Sequence, residues 1–491
     1  MGMEKQYRPW LPRHPMMFPP SPTDWLPKGH LAYFILEVVE GLALDAIDGA
    51  YQEKDRRGTR PFHPRMMTAL LLYGYSLGVT SSRKIEAATY EDVAMRVLSG
   101  GEHPDHTRVS EFRRKHLEAL KTVWVQVLLL CQRAGLVKLG HVALDGTKVA
   151  ANASKHKAMS HERMLKTEAE LTAQIDAMLA RAEEVDQAED ALYGKDRRGD
   201  ELPAELAHPE TRRKRIREEL AKLEAEAAAS KARELEARAA DAQAVSDPRA
   251  DEKRAKADEA AKRARAKAAA AGVVELDLCP RDPEELPSHQ VQADADGNPH
   301  PKAQRNFTDP DSRIMKLGGD FVQGYNCQAA VDEHSQVIVA QAVTNQAPDC
   351  EHLIPMMMLV ASELGRLPDV LTADNGYYTD ANAAWCAEWG CDAHLATGRI
   401  PHGADSPLSV RRESPTKAAM REKLSTPAGR HAYSRRKCTV EPVFGQIKDC
   451  RGIRHFRLRG LRKVRGEWSL ICTTHNLLKL YRRMRDPEPD A

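Results

Sequence analysis

The sequence predicts an α/β protein: a mixed sheet with flanking helices, preceded by an all-α region and interrupted by a helical hairpin. Three observations carry this prediction. Residues 30–137 hold apolar side chains at three- and four-residue spacing, the period of helices packed on one face. Between residues 140–146 and 319–396, three strand-like segments are followed by a helix, a strand, a helix and a strand. Residues 160–240 carry two heptad-spaced apolar stripes separated by Gly and Pro, the pattern of an antiparallel helix pair.

Residues 1–27 are Pro-rich with interspersed Trp and read as an extended arm. A helical domain at 28–138 runs from "HLAYFILEVVEGLALDAI" to "VWVQVLLLCQRAGLV", broken at "RRGTRPFHP" and "LSGGEHPDHTR". Its last part, "HTRVSEFRRKHLEAL" (106–120), carries Arg108, Arg113, Arg114 and Lys115. These residues fit the DNA-facing second helix of a helix-turn-helix, and equally an ordinary amphipathic surface helix. "GHVALDG" then reads as a strand that ends on Asp145, where Asp-Gly is also plain turn chemistry.

A helical-hairpin insertion follows at 155–240. Its first stripe is Met164, Leu171, Ile175, Met178, Ala182 and Val185, and its second is Ile216, Leu220, Leu223 and Ala227. Residues 241–305 are Ala/Lys/Arg/Glu-rich and then Pro/Asp/Gly-rich, which predicts a fraying helix and an irregular low-complexity linker. The sheet resumes with strands at 319–333 and 335–344. A helix at 349–365 follows, with Asp349 at its N-cap and Gly365 at its end. "DVLTADNGYYTD" is a strand ending on Asp374, "ANAAWCAEWG" a short helix and "DAHLAT" the last strand. Residues 398–432 read as loop, and 439–450 and 467–484 as closing helices. The sheet domain thus comprises 139–154 and 306–485.

Composition narrows the function. The 491 residues are 42% hydrophobic and 29% charged, as in a soluble globular protein of several domains. The apolar run "MMTALLLYGYSLGV" is too short and too polar to cross a bilayer, and the N-terminus has no signal-peptide core, so a cytoplasmic protein is expected. The nine cysteines are odd in number and form no C-x-x-C, which argues against a disulfide framework. Cys386, Cys391 and His394 could ligate a metal, but no fourth ligand is apparent and buried free thiols fit better. Net charge is +2, yet residues 411–485 hold 21 Lys and Arg against 5 Asp and Glu. Aromatic and glycine positions interleave with the charges in "RGIRHFRLRGLRKVRGEW", the composition of a surface for a polyanion.

Asp145 and Asp374 each end a strand, and parallel neighbouring strands would bring both carboxylates to one sheet edge. Glu441 is fixed near a helix start by Pro442. Three converging carboxylates suit hard divalent cations, and two Mg²⁺ ions about 4 Å apart support in-line phosphoryl displacement. Lys448, seven residues after Glu441, falls two helical turns along the same face and would approach a phosphate beside the ions.

The blocks "VALDGTKVAANASKHKAMS", "NFTDPDSRIMK", "GYNCQAAVDE", "TADNGYY", "TVEPVFGQIK" and "RGLRKVRGEWSLICTTHNLLKL" resemble bacterial insertion-sequence transposases of the DDE type. The branch is the one with an InsH-like helical N-terminal domain, and the likeness covers nearly the whole chain. It implies an RNase H-like catalytic domain, with Asp145, Asp374 and Glu441 as the acids holding two Mg²⁺ (or Mn²⁺) ions. Lys448 matches the basic residue that follows the glutamate in related elements. Some members place a Tyr and an Arg at fixed short distances before the glutamate. Here Tyr433, Arg435, Arg436 and Lys437 precede Glu441 at a different spacing.

The resemblance further implies that the protein binds terminal inverted repeats and target DNA as a homodimer, cleaves element ends and joins them. Arg435, Arg436, Lys437, Lys448, Arg457, Arg459, Arg462 and Lys463 are the expected DNA contacts beside the acids. Two other readings are a nuclease of this fold that cuts without joining, and a non-catalytic DNA-binding protein. Among the remaining acids, Asp332 is expected to cap a strand turn, and Asp309 and Asp311 to order a loop.

Overall fold

The computed structural model describes residues 22–52, 61–174, 176–177, 204–245, 247, 249–270, 286–398 and 414–485. Most of the expected N-terminal arm, and Ile175, Met178, Ala182 and Val185 of the first hairpin stripe, lie outside the described residues. The chain forms two compact units, one of residues up to Gln126 with those from Leu477 onward, the other Val127–Asn476. Among the described residues no helix is long and apolar enough to cross a membrane.

The first unit is helical: α1 (Leu31–Gly41), α2 (Asp45–Gln52), α3 (Pro64–Ser76), α4 (Ser82–Glu91), α5 (Val93–Leu98), α6 (His106–Lys115) and the start of α7 (Leu117–Arg133). α3 is its centre, since every residue from Met67 to Ser76 is buried. Its start is set by Pro64 and by His63, whose Nδ1 accepts from the Arg65 N–H at 3.2 Å. The break before α6 takes two successive left-handed glycines, Gly100 (φ 60°) and Gly101 (φ 84°). Asp105 then caps α6 by accepting from the Thr107 and Arg108 N–H groups at 2.9 and 3.1 Å.

One expected DNA contact is displaced. Arg113 is 3% exposed and donates to the Tyr75 hydroxyl at 2.7 Å and to the Thr80 carbonyl at 2.8 Å. It ties α6 to the end of α3, so it is a packing residue and not part of a nucleic-acid surface. Arg108, Arg114 and Lys115 are exposed, with Arg108 and Lys115 both paired to Glu111.

The second unit is built on a six-stranded mixed sheet. Its strands are β1 (His141–Ala150), β4 (Arg313–Leu317), β5 (Asp320–Asp332), β6 (Ile338–Thr344), β7 (Val370–Ala373) and β8 (Asp392–Leu395). β5 lies antiparallel to β1 on one edge and to β4 and β6 on the other, while β1, β7 and β8 run parallel. This is the RNase H-like arrangement the sequence predicts, with one strand more: β4 is absent from the sequence reading. α11 (Leu353–Leu364) covers β6 and β5 and ends on left-handed Gly365. α12 (Asp380–Glu388) leads to β8.

Residues 414–439 are not loop. Two helices occupy them, α13 (Pro415–Ser425) and α14 (Pro427–Thr439). Ser414 and Thr426 cap them, accepting from the Lys417 N–H at 3.2 Å and the Gly429 N–H at 2.9 Å, each with Pro next in sequence. α15 (Glu441–Gly445) continues into a π-helical turn, Gln446–Cys450, and α16 (Leu461–Arg485) closes the chain. The polar "TTHN" of α16 is buried for a reason. Asn476 donates to the Ile338 carbonyl at 2.8 Å and accepts from its N–H at 2.9 Å, holding the start of β6 as a neighbouring strand would.

The insertion leaves after β1. A short pair of antiparallel strands, β2 (Ala158–Ser160) and β3 (Gln304–Asn306), ties its two ends together. α8 (161–174) packs on α9 (Ala204–Ala244) through Met164, Leu171, Ile216, Leu223, Ala227 and Val291. The expected fraying segment is in fact α10 (Ala250–Ala270), which returns along α9 on Ala228, Ala229, Ala232, Ala261 and Ala264. Alanine at these positions lets two helices approach closely, which a reading of composition alone takes for low complexity.

Replacing Arg113 with Met should lower the unfolding free energy by about 1.5–3 kcal/mol, the worth of buried hydrogen bonds from a charged donor. Chemical denaturation followed by circular dichroism measures it, and an unchanged midpoint would mean the guanidinium is not structural.

Candidate active site

The register between β1 and β7 runs from His141 opposite Val370 to Leu144 opposite Ala373. The next residue on each strand is an aspartate, so Asp145 and Asp374 stand side by side where the parallel ladder stops. β7 ends there because Asp374 turns the chain, accepting from the Gly376 N–H at 2.8 Å. β1 does not end there. It runs on to Ala150 against β5, with Asp145 opposite Ala329 and Ala150 opposite Gly324. Asp-Gly is therefore not a turn, and Gly146 is required for another reason. A Cβ there would meet Gln328 Nε2 at 2.5 Å and Asp349 Oδ1 at 2.9 Å.

Glu441 reaches the pair through Arg436 of α14. Arg436 Nη1 donates to Asp145 Oδ2 at 2.9 Å, and Nη2 lies 3.6 Å from Glu441 Oε1. Glu441 opens α15 with Pro442 in its first turn, as the sequence predicts. Burial pushes the Asp145 carboxyl up to about 6; Arg436 opposes that rise, while the charges of Asp374 and Asp349 add to it. Burial also works against the Arg436 guanidinium, but Asp145, Tyr433, Asp374 and Glu441 outweigh it and hold it above its ordinary value.

Glu441 and Lys448 are not joined by an uninterrupted α-helix. The π turn at Gln446–Cys450 changes the helical phase between them. Lys448 Nζ instead bonds β1, at 2.5 Å to Thr147 Oγ1 and 2.8 Å to the Lys148 carbonyl. Thr147 lies two residues beyond Asp145 on the same side of β1, so the amine is held along the strand that carries the acid. Burial lowers its pKa.

Sequence reasoning missed a fourth carboxylate. Asp349 is not an N-cap; α11 starts at Leu353 with His352 as its cap residue. The Asp349 carboxylate accepts from Asn326 Nδ2 at 2.6 Å and Gln328 Nε2 at 2.8 Å, with Lys148 Nζ at 3.4 Å. Tyr377, fully buried after Asp374, donates to Gln328 Oε1. The available signal was "GYNCQ", two amides within an otherwise buried strand, since buried amides need partners.

The basic C-terminal loop is braced by acids. Buried Glu467 accepts from the Arg457 and Leu458 N–H groups at 3.0 and 2.9 Å. Asp309 accepts from the Gly460 N–H at 3.0 Å and the Tyr325 hydroxyl at 2.8 Å, and Asp311 from the Leu461 N–H at 2.8 Å. The pair orders the entry to α16, the loop-ordering part expected of it. Arg459, Arg462 and Lys463 are exposed there and Arg457 is half-buried. Lys437 is exposed, and Arg435 pairs with Glu333. Asp332 caps the β5–β6 turn through the His334 N–H at 2.9 Å and also holds the entry to β1 through the Leu139 N–H at 2.7 Å. Cys386 and Cys391 are buried free thiols, and His394 faces Asp392 at 3.0 Å.

Asp145, Asp374 and Glu441 offer only hard oxygen donors, the set that suits Mg²⁺, and Arg436 already places one positive charge between two of them. Among the described residues no three His, Cys, Asp or Glu side chains ring a single point. Mg²⁺ keeps several waters, so the adjacent pair Asp145 and Asp374 meets its minimum need.

Residues 291–477 match the family model of the transposase DDE domain, and residues 20–115 match that of the transposase domain DUF772. No curated protein and no solved structure matches the chain. Asp374 and Glu441 lie within the first matched segment; Asp145 lies outside both and joins them through the β1–β7 ladder.

Gly146→Ala should destabilise the protein by about 1–3 kcal/mol, because the added methyl group must displace Gln328 and Asp349. Denaturant titration reads this directly; a neutral result would mean that this network is loose.

Proposed function

We propose that this chain, which belongs to the DDE transposases of insertion sequences, binds the terminal inverted repeats of its element, hydrolyses strands at the element ends and joins the freed 3′-OH ends to target DNA. Transposases of this type act on DNA and generally use divalent metals. The observation that carries the finer reading is the position of Asp145 and Asp374 side by side at the end of a parallel ladder, with Glu441 one guanidinium away.

In this reading Asp145, Asp374 and Glu441 would hold two Mg²⁺ ions, with Mn²⁺ as a substitute. Bound there, the ions supply activation of an attacking oxygen and neutralisation of the leaving one. The chain's own residues do the rest. The β1–β7 ladder fixes two carboxylates on rigid strands, so their spacing is set by backbone hydrogen bonds. Arg436 offsets the repulsion among the acids and favours the ionised form of Asp145. Lys448, held on β1 by Thr147, would place a cation on the strand that carries Asp145, for a phosphate to approach. Water, and then a 3′-OH, are the nucleophiles. Two element ends require two such sites, which a homodimer supplies.

Asp145→Asn, Asp374→Asn and Glu441→Gln should each abolish cleavage and joining while leaving duplex binding largely intact, because affinity comes mainly from phosphate contacts elsewhere. Cleavage by any of these variants at near the parent rate removes that residue from the site. Cleavage without joined product in a strand-transfer assay would favour the nuclease reading.

A cation bound by Asp145 competes with its proton. With the carboxyl at about 6, ionisation falls as pH drops through that value, so Mn²⁺ affinity should weaken about tenfold from pH 7 to pH 5. Calorimetric titration at the two pH values tests this, and equal affinities would exclude Asp145 as a ligand.

A further inference from the structure

We propose that the root of the insertion is a binding site for the phosphate backbone of duplex DNA, continuous with the acid site; this rests on the transposase reading above. Two adjoining depressions, about 410 and 510 Å³, form one groove where the short strand β2 and α8 meet the start of the long helix α9. Its walls present His156, Lys157, Arg163, Lys166, Arg212 and Arg215, with Glu170 as the acid.

The neighbouring acids are already engaged elsewhere. Glu168 pairs with Arg217, and Glu219 and Glu226 with buried Arg305. Lys157, Arg163, Lys166 and Arg212 have no carboxylate partner among the described residues, and all four are exposed. Arg217 and Arg305 are thus paired with carboxylates, and these four cations of the groove are not.

The groove is also built rather than incidental. The Phe307 N–H donates to the Lys157 carbonyl at 3.1 Å, and Arg215 Nη2 donates to the Phe307 carbonyl at 2.7 Å. Met164, Ile216 and Leu223 pack beneath it. A groove with fixed walls and unpaired cations fits a rigid polyanion.

Continuity with the acids argues for the duplex that enters the active site. Five extended residues carry β1 about 17 Å from Asp145 to Ala150, about half a turn of duplex. There the Ala150 N–H donates to the Arg454 carbonyl at 3.2 Å. Asn152 then donates to the Arg457 carbonyl at 2.8 Å and accepts from Arg459 Nε at 2.9 Å. Lys155 and Lys157 follow, and then the groove. Basic side chains thus line a path from Lys448 through Arg459 to Arg212, along which successive phosphates can be neutralised.

The test measures binding of the full chain to a duplex of about 50 base pairs across a salt series. Each lost phosphate contact lowers the slope of log affinity against log salt by about 0.9. The variant Lys157→Gln, Arg163→Gln, Lys166→Gln, Arg212→Gln should reduce the slope by about 3 to 4. A control removes the same charge from exposed positions of α10: Arg254→Gln, Lys256→Gln, Lys262→Gln, Arg263→Gln. It should leave the slope unchanged. If the fourfold groove variant does not melt cooperatively, the pair Lys157→Gln, Arg212→Gln replaces it, with about half the effect. An unchanged slope in the folded groove variant, or an equal fall in the α10 control, overturns the proposal. Failure of the parent protein to bind duplex at all would instead overturn the transposase reading.

Discussion

Two carboxylates on adjacent strands repel one another, and this repulsion grows as water is excluded. The β1–β7 ladder imposes that arrangement on Asp145 and Asp374, since the backbone register that pairs Leu144 with Ala373 leaves no other position for the residues that follow. The rest of the second unit compensates for it. α14 brings Arg436 to Asp145 and Glu441, which reduces the net charge without removing the acids. Without such a cation a buried carboxylate protonates, and the raised Asp145 pKa shows that compensation here is partial. A site that is only partly neutralised retains an attraction for further positive charge, and that is the physical requirement for holding divalent ions.

The long extension of β1 connects this site with the rest of the unit. Because the strand continues past Asp145, the chain leaves the sheet at Ala150, among the basic residues that precede α16. The insertion therefore begins beside the C-terminal basic loop and not at the acids. Asp309, Asp311 and Glu467 accept from backbone N–H groups and fix the course of this loop, on which Arg459, Arg462 and Lys463 are exposed. Acid residues that shape a basic surface through the backbone leave its charge intact.

Much of this was legible in the sequence. Buried strands carry apolar runs, so "VALDG" and "VLTADNG" show both strands and their aspartates, although Asp-Gly reads as a turn and hides the continuation of β1 to Ala150. Edge elements do not. Of the five residues of β4 only Met315 is buried, so no alternation marks the strand. α13 and α14 bury few apolar side chains, and only the Ser-Pro and Thr-Pro caps announce them. Arg113 read as a surface cation because its partners, Tyr75 and Thr80, come from 38 and 33 residues away. The π turn before Lys448 leaves no periodic trace either, since one extra residue per turn alters phase and not composition. What escaped is what depends on tertiary partners.

Asp145 and Asp349 show how one network assigns different work to two carboxylates of the same kind. Both are largely buried, and burial raises both. Asp349 is nonetheless held down at about 2, because His352, Lys148 and Asn326 together outweigh its desolvation. Asp145 has one guanidinium and one backbone N–H against two neighbouring negative charges, and it rises to about 6. The contacts of Asp349 converge on Oδ1, where Asn326 and Gln328 donate and Lys148 and His352 lie at 3.4 and 3.5 Å, and its charge serves to position Gln328 and Lys148. A carboxylate with open lone pairs and a pKa near neutrality gains more from a new cation than one already satisfied. The different sets of donors therefore separate the two pKa values, with Asp145 raised and Asp349 held ionised as a fixed charge beside it.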